Sequence, residues 1–166
     1  MSAPAKNAPT ARTAYEPATV SVRVKICGLW TAMLFVFAYV DLFSLYRADV
    51  RADIEAGQIS GFAVNQSFLL ATTAYVVLPA LMVFLCLVLP ARGARIANIV
   101  LAAGYALTIV GSTVGDGNHY YLFGSAVEVA LLAGIAFYAW TWPKVPASGS
   151  TNRPAATADH RQHAVA

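Results

Sequence analysis

Four long apolar runs, separated by short polar segments, dominate the pattern of the chain. They cover residues 26–46, 68–89, 96–115 and 120–142. At 1.5 Å per residue, about 20 residues cross the roughly 30 Å of hydrocarbon in a bilayer, so each run predicts a membrane-spanning α-helix. The pattern therefore predicts an all-α protein, an integral membrane four-helix bundle over residues 22–143.

The second run carries Pro79 near its middle. A proline inside a helix has no N–H to donate, so it frees the carbonyl one turn earlier and predicts a kink there.

The segments between the runs predict turns and one longer loop. Residues 47–67 alternate charged with small side chains, which indicates an outer loop with a short helix ending near Gly57. Residues 90–95 predict a tight basic turn, and the short polar segment 116–119 makes the third and fourth spans an antiparallel hairpin. The tails, 1–21 and 144–166, are rich in small residues and proline and are predicted to be disordered.

Composition supports a membrane protein. The chain is 58% hydrophobic and 11% charged, whereas soluble domains average about 25% charged residues. The first run is longer than the roughly 7–15 apolar residues of a cleaved secretory signal, so we interpret it as a retained span. The net charge of +3 comes from basic residues scattered beside the runs rather than clustered in a patch, so no nucleic-acid partner is predicted.

Basic residues also predict the orientation. Of the 11 Lys and Arg residues, only Arg47 and Arg51 lie on the side of the 47–67 loop. Under the positive-inside rule both termini are then cytoplasmic. Trp30, Trp140 and Trp142 fall near the inner ends of their spans, where an aromatic belt is expected.

No metal or cofactor site is predicted. Cys27 and Cys86 form no CxxC pair and have no metal-ligand spacing. Haem needs axial ligands within the bundle, and His119 is the only histidine near a span.

Small residues at intervals of four predict helix contacts. They are Gly111 and Gly115 in the third span and Ala126, Ala130 and Gly134 in the fourth. Because such residues let backbones approach in lipid, we expect these two faces to pack together.

Polar residues inside the spans fall at similar depths. Counted from the outer ends, Asp41 lies about 8 Å deep, Thr108 about 10 Å, Tyr75 about 11 Å and Glu128 about 12 Å. Tyr121 and Ser125 precede Glu128 on the same helix and extend the polar positions outward. We therefore predict a cavity that opens to the outside, with these six residues as candidates for binding a ligand or proton.

Two interpretations of Glu128 remain open. No Lys or Arg lies within a span, so we expect a protonated side chain unless water or a cation reaches it. It either serves a functional site or forms a structural hydrogen bond to a Tyr or Thr on a neighbouring helix. Asp41 is shallower, and we expect it to remain ionised beside Arg47 or Arg51. His119 is either a solvated loop residue or a gate or pH sensor.

Several short segments resemble a known family. They are Leu29-Trp30, Asp41-Leu42-Phe43 with Leu45-Tyr46, Leu78-Pro79-Ala80-Leu81-Met82, Phe123-Gly124 with Val127-Glu128, and Tyr138-Ala139-Trp140 with Trp142-Pro143. Together they resemble, over about residues 22–143, a family of small four-span bacterial membrane proteins described only as a domain of unknown function. The resemblance implies a bacterial inner-membrane protein with Asp41 and Glu128 in its recognisable segments. It implies no activity, substrate or cofactor.

Three functions remain open. The first is a small transporter or permeation protein that uses Glu128 and Asp41, for which four spans are few, so that a dimer is expected. The second is a non-catalytic subunit that packs against a membrane partner. The third is an enzyme acting on lipid or quinone. We rank the enzyme last because the sequence offers no nucleophile–base pair and no catalytic motif.

Overall fold

A computed structural model describes residues 20–143, and this part of the chain is almost entirely helical. The predicted tails, 1–21 and 144–166, lie outside the described residues apart from Val20 and Ser21. The elements are α1 (Val22–Ser44), α2 (Ala48–Glu55), β1 (Gln58–Ile59), β2 (Phe62–Ala63), α3 (Gln66–Val88), α4 (Ala91–Thr113) and α5 (His119–Trp140). The predicted all-α class is confirmed.

The four long helices α1, α3, α4 and α5 are each long and apolar enough to cross a membrane. Their outward surfaces carry large apolar side chains, such as Leu107 at 75% exposure and Phe123 at 73%. Inside, the bundle buries the polar residues Asn98, Ser125 and Glu128. An apolar exterior around polar interior groups fits a lipid environment, in which exposed hydrocarbon is not penalised.

Neighbouring long helices run in opposite directions, so the bundle has two ends. We call them the α2 end, which carries α2 and the α4–α5 turn, and the terminus end, where α1 begins and α5 ends. Helix α5 packs closely on both α1 and α4, and α1 packs on α3, whereas α3 and α4 approach each other less closely. The bundle is therefore looser along its α3–α4 side.

Helix starts follow local capping chemistry. The Ser21 hydroxyl accepts a hydrogen bond from the Val24 N–H, and the Asn65 side chain accepts one from Phe68. Helix α4 begins at Ala91, directly after its N-cap Pro90, rather than at residue 96. The predicted basic turn over 90–95 is thus wrong, because Ala and Arg after a proline are favourable at a helix start.

Arg23 ties α1 to the end of α3. Its guanidinium donates to the carbonyl oxygens of Cys86, Leu87 and Leu89 at 2.8, 2.9 and 2.8 Å. The last carbonyls of a helix have no partner within the helix and carry partial negative charge, so a cation stabilises them. Arg23 also lies 5.4 Å from the centre of the Trp142 ring. It therefore links three helix ends at the terminus end.

Trp30 lies in the core rather than at the membrane interface predicted for it. It is completely buried, and its indole Nε1 donates to Asn98 Oδ1 at 2.6 Å. Asn98 in turn donates to the Ala94 carbonyl at 2.7 Å. Buried polar groups need such partners, so this pair joins α1 to α4.

The core occupies the terminus end and thins out toward the α2 end. Its fully buried residues on α1 stop at Met33, and no residue of α3 before Pro79 is buried. Toward the α2 end, α1 and α3 therefore contribute no buried side chains to the core, whereas α5 still buries Gly124 and Ser125.

The loop over residues 47–64 lies at the α2 end. As predicted, it contains a short helix, α2, which ends near Gly57 at φ +73°. A two-stranded hairpin that the sequence analysis did not predict follows, with Ile59 paired to Phe62. Ser60 and Gly61 turn the chain at φ +50° and +81°, the left-handed pair typical of a tight hairpin.

The predicted packing of small residues between α4 and α5 is wrong. Gly111 is exposed with open space where a side chain would be, and Ala126 and Ala130 are exposed. Gly115 lies beyond α4 at φ +88°, where a glycine commonly ends a helix. The glycines of α5 at which another helix comes closest face α1: Leu29 lies against Gly134, and Val40 occupies the place of a Gly124 side chain.

Candidate functional site

A cavity of about 270 Å³ lies between the four long helices. It contains five of the six polar residues predicted as candidates for binding a ligand or proton: Asp41 from α1, Tyr75 from α3, Thr108 from α4, and Tyr121 and Glu128 from α5. Phe37, Val40, Ile109 and Ser112 complete its lining. We call this space the Glu128 cavity. The structure thus brings together residues from four helices that are far apart in the chain, such as Asp41 and Glu128.

Glu128 forms the buried part of this cavity. Its side chain is on the core side of α5, and the residue is only 3% exposed. Its Oε1 atom is buried and has no hydrogen-bond partner among the described residues. Buried carboxyl oxygens normally have a partner, so this oxygen is an exception that needs an explanation. The structural interpretation, a hydrogen bond to Tyr or Thr on a neighbouring helix, is not what the structure shows for Oε1.

Asp41 lines the same cavity from α1 but is exposed, as is Thr108 from α4. The cavity therefore has an exposed mouth and a buried carboxyl group at Glu128. Asp41 lies near the end of α1 at Ser44, which puts the mouth toward the α2 end of the bundle.

The hydroxyl groups in the cavity are already paired. Tyr75 Oη and Thr108 Oγ1 lie 2.6 Å apart, and Tyr121 Oη donates to Ser112 Oγ at 2.8 Å. Thr108 gives its single hydrogen to the Tyr105 carbonyl at 2.9 Å. Hence Tyr75 is the donor to Thr108. Ser112 was not among the predicted site residues, although it is a polar residue on α4 one turn beyond Thr108.

Pro79 leaves the carbonyl of Tyr75, a residue of the cavity lining, without a partner in its own helix. An ordinary residue at 79 would donate its N–H to the Tyr75 carbonyl four positions earlier, and proline cannot. The Tyr105 hydroxyl on α4 donates to this same carbonyl. The Tyr75 and Tyr105 rings also lie 4.6 Å apart between centroids. The hydrogen bond and the ring contact between Tyr75 and Tyr105 bridge the loosely packed side between α3 and α4. The predicted kink at Pro79 stays a prediction.

Two predicted site residues lie elsewhere. Ser125 is buried but faces a different groove, with Val110 and Thr113 of α4. At about 100° per residue, Ser125 is turned some 60° from Glu128 around α5, whereas Tyr121 is turned only about 20°. His119 is exposed at the first position of α5 and does not line the Glu128 cavity.

Arg47 organises the charged groups at the α2 end. Its guanidinium lies 2.6 Å from Asp49 and 3.3 Å from Asp116. These contacts raise the pKa of Arg47, and its hydrogen bond lowers the pKa of Asp49. The pKa of Asp116 is lowered first by hydrogen bonds from Asn118 and then by Arg47. Both ion pairs of the described residues belong to Arg47, so the expected pairing of Asp41 with Arg47 or Arg51 is not observed.

The residues that line the cavity can accept more hydrogen bonds than they can donate. Two carboxyl groups converge on it, no Lys or Arg lines it, and each of its four hydroxyls already has a hydrogen-bond partner. Within the described residues there is no group of three or more His, Cys, Asp or Glu side chains that could hold a metal ion.

Comparison with known proteins identifies one family. A model described as a family of unknown function (DUF6326) matches residues 21–148. That range includes all the elements of the bundle and every residue of the Glu128 cavity. No curated protein and no solved structure matches the chain.

Proposed function

The chain belongs to the DUF6326 family of unknown function, and from its cavity we propose a small multi-pass transport or permeation protein with a binding site around Glu128 and Asp41. The site faces outward in a bacterial inner membrane, and both termini are cytoplasmic. This orientation is supported by the basic residues: Arg23, Lys25, Arg92 and Arg95 lie at the terminus end, against Arg47 and Arg51 at the α2 end.

The observation that carries this proposal is the buried, unpartnered carboxyl oxygen of Glu128 beside a cavity. Ionisable residues inside membrane spans are costly, and they commonly mark ion pathways and substrate sites. A purely structural acid would be expected to use its oxygens in helix contacts. Oε1 of Glu128 makes no such contact within residues 20–143, and the side chain lines a space with an exposed mouth.

The looser α3–α4 side supports a site that changes shape. Tyr75 and Tyr105 bridge these helices where their backbones are less close, and Pro79 interrupts the hydrogen-bond ladder of α3. Interrupted helices are a recurring feature of binding sites in transporters.

The test is flux through proteoliposomes that contain the purified protein. We expect proton or monovalent-cation flux above that of empty liposomes, and we expect Glu128→Gln to reduce it at least tenfold. Glu55→Gln is the matched control, because Glu55 is an exposed acid on α2 outside the cavity. Equal flux in wild-type, Glu128→Gln and empty liposomes would contradict the proposal.

A further inference from the structure

The Glu128 cavity has no free donor for its own carboxyl groups. Thr108 donates to the Tyr105 carbonyl, and Ser112 donates to the Ile109 carbonyl at 2.8 Å. Each hydroxyl has only one hydrogen, so Tyr75 and Tyr121 donate to Thr108 and Ser112 respectively. All four hydroxyl hydrogens in the cavity are thus committed. A ligand that pairs with Glu128 must bring its own hydrogen-bond donor.

The charged residues around the cavity indicate the sign of the charge on that ligand. Asp41 and Glu128 both line the cavity, and its lining contains no Lys, Arg or His. Arg47, at the same end of the bundle, is engaged by Asp49 and Asp116. A bound anion would therefore meet two acids with no compensating cation, whereas a bound cation would find charge partners.

The remaining lining favours an organic cation over a metal ion. Ca²⁺ takes six to eight oxygen ligands and Mg²⁺ takes six in strict geometry, whereas the cavity presents two carboxyl groups on different helices and four hydroxyls that are already hydrogen-bonded within the protein. Phe37, Tyr75 and Tyr121 supply aromatic rings, and Val40 and Ile109 supply hydrocarbon. Aromatic faces attract cations, and the hydrocarbon suits the apolar part of an organic molecule.

The volume of the cavity also favours a small organic molecule over a bare ion. The cavity volume is about 270 Å³, several times the roughly 30 Å³ that one water molecule occupies in the liquid. It lies just below the range of about 300–1,000 Å³ that is typical of pockets for drug-sized ligands. A molecule smaller than a drug therefore fits, whereas a bare ion would leave most of the space unfilled.

We propose that the Glu128 cavity binds a small organic ammonium ion, with the N–H donors on Glu128 and Asp41 and the hydrocarbon part against Phe37 and its apolar neighbours. This inference rests on the proposed function and names its substrate class. Primary and secondary ammonium ions fit best, because they carry both the positive charge and the hydrogen-bond donors that the cavity does not supply.

The experiment is equilibrium binding of benzylammonium to the purified full-length chain in detergent, measured by calorimetry. Benzyl alcohol is the matched neutral probe, and it also controls for partition into the micelle. Sodium and magnesium chloride test inorganic cations, and benzyltrimethylammonium tests the need for an N–H donor. We expect saturable binding of benzylammonium, at least tenfold weaker binding of benzyltrimethylammonium, and none of benzyl alcohol.

Substitutions of cavity residues test whether benzylammonium binds in the Glu128 cavity. Glu128→Gln and Asp41→Asn should each weaken benzylammonium binding at least tenfold, Phe37→Leu should weaken it severalfold, and Glu55→Gln should leave it unchanged. Because Asp41 is exposed, Asp41→Asn keeps the test valid if Glu128→Gln fails to fold. Binding that is equal in all variants, or equal for benzylammonium and benzyl alcohol, would overturn the inference.

The outcome is separable from that of the flux test. Glu128-dependent flux of protons or sodium without any benzylammonium binding would overturn the ligand class and leave the proposed transport function standing. Glu128-dependent binding without flux of any tested ion or amine would support the ligand class and overturn transport.

Discussion

Replacing Tyr105 by Phe removes one hydroxyl from α4 and tests how the bundle tolerates Pro79. The hydroxyl donates to the Tyr75 carbonyl, which Pro79 cannot serve. We expect Tyr105→Phe to lower the free energy of unfolding, because no water replaces a missing partner within the bilayer core. In a Pro79→Ala background, residue 79 regains its N–H, so the same substitution should cost much less.

The size of the expected loss in unfolding free energy depends on the contacts that Tyr105→Phe keeps. Tyr105 is 5% exposed, and its ring contacts, 6.2 Å to Trp30 and 4.6 Å to Tyr75 between centroids, are kept by Phe. The change is therefore confined to one hydrogen bond. A buried acceptor left without a partner costs about 1–3 kcal/mol, and hydrogen bonds between membrane helices average about 0.6 kcal/mol with a maximum near 1.7. We expect a loss of about 1 kcal/mol when Pro79 is present and less than about 0.5 kcal/mol in the Pro79→Ala background.

The assay is SDS-induced unfolding in mixed micelles, followed by tryptophan fluorescence, for the four proteins of the double-mutant cycle. Tyr39→Phe is the matched control, because Tyr39 is 55% exposed on α1, and it should leave the midpoint unchanged. Equal costs of Tyr105→Phe in the wild-type and Pro79→Ala backgrounds would refute the reasoning. They would mean that the hydroxyl does not compensate for the proline.

Two further predictions concern packing and charge. Gly124→Ala should destabilise the bundle by about 1–3 kcal/mol, as overpacking does, because the new methyl group meets Val40. Adding Val40→Ala to this variant should restore stability in the same unfolding assay. Gly104→Ala is the control and should be neutral or stabilising, because Gly104 has open space around it. Arg47→Gln should reduce the loss of stability at acid pH, chiefly through Asp49, because Arg47 is the largest cause of the lowered pKa of Asp49, whereas the pKa of Asp116 is lowered mainly by Asn118. The stabilisation that the two ionised aspartates give the folded state is fully present above their ordinary pKa of 3.8. It is lost as the pH falls through their lower pKa values in the folded protein. Thermal midpoints of both proteins between about pH 2 and 6 would check this, and parallel curves would contradict it.

Helix rotation explains which site residues the sequence analysis placed correctly. Asp41, Tyr75, Thr108 and Glu128 share one cavity, in agreement with their similar predicted depths, since depth depends only on counting residues along a helix. Tyr121, predicted from its spacing of seven residues before Glu128, lines the same cavity. Ser125 was predicted from its spacing of three residues before Glu128 but lines a different groove, and Ser112 was not considered. Which face of each helix points inward depends on its neighbours, so spacing along a single helix could not show that Ser112 lines the cavity and Ser125 does not.

Local pattern was sufficient for the class of the protein and for its four long helices, because a run of about 20 apolar residues must form a helix to satisfy its own backbone in lipid. Which helices and side chains contact each other is decided only in the folded bundle. Only there does α5 pack on α1 through Gly124, Trp30 meet Asn98 and the Tyr105 hydroxyl reach the carbonyl freed by Pro79. The unpartnered oxygen of Glu128 likewise becomes visible only in three dimensions. These contacts join residues far apart in the chain, and lipid-facing and partner-facing sides of a span are similarly apolar, so the sequence pattern carries little information about how each helix is turned.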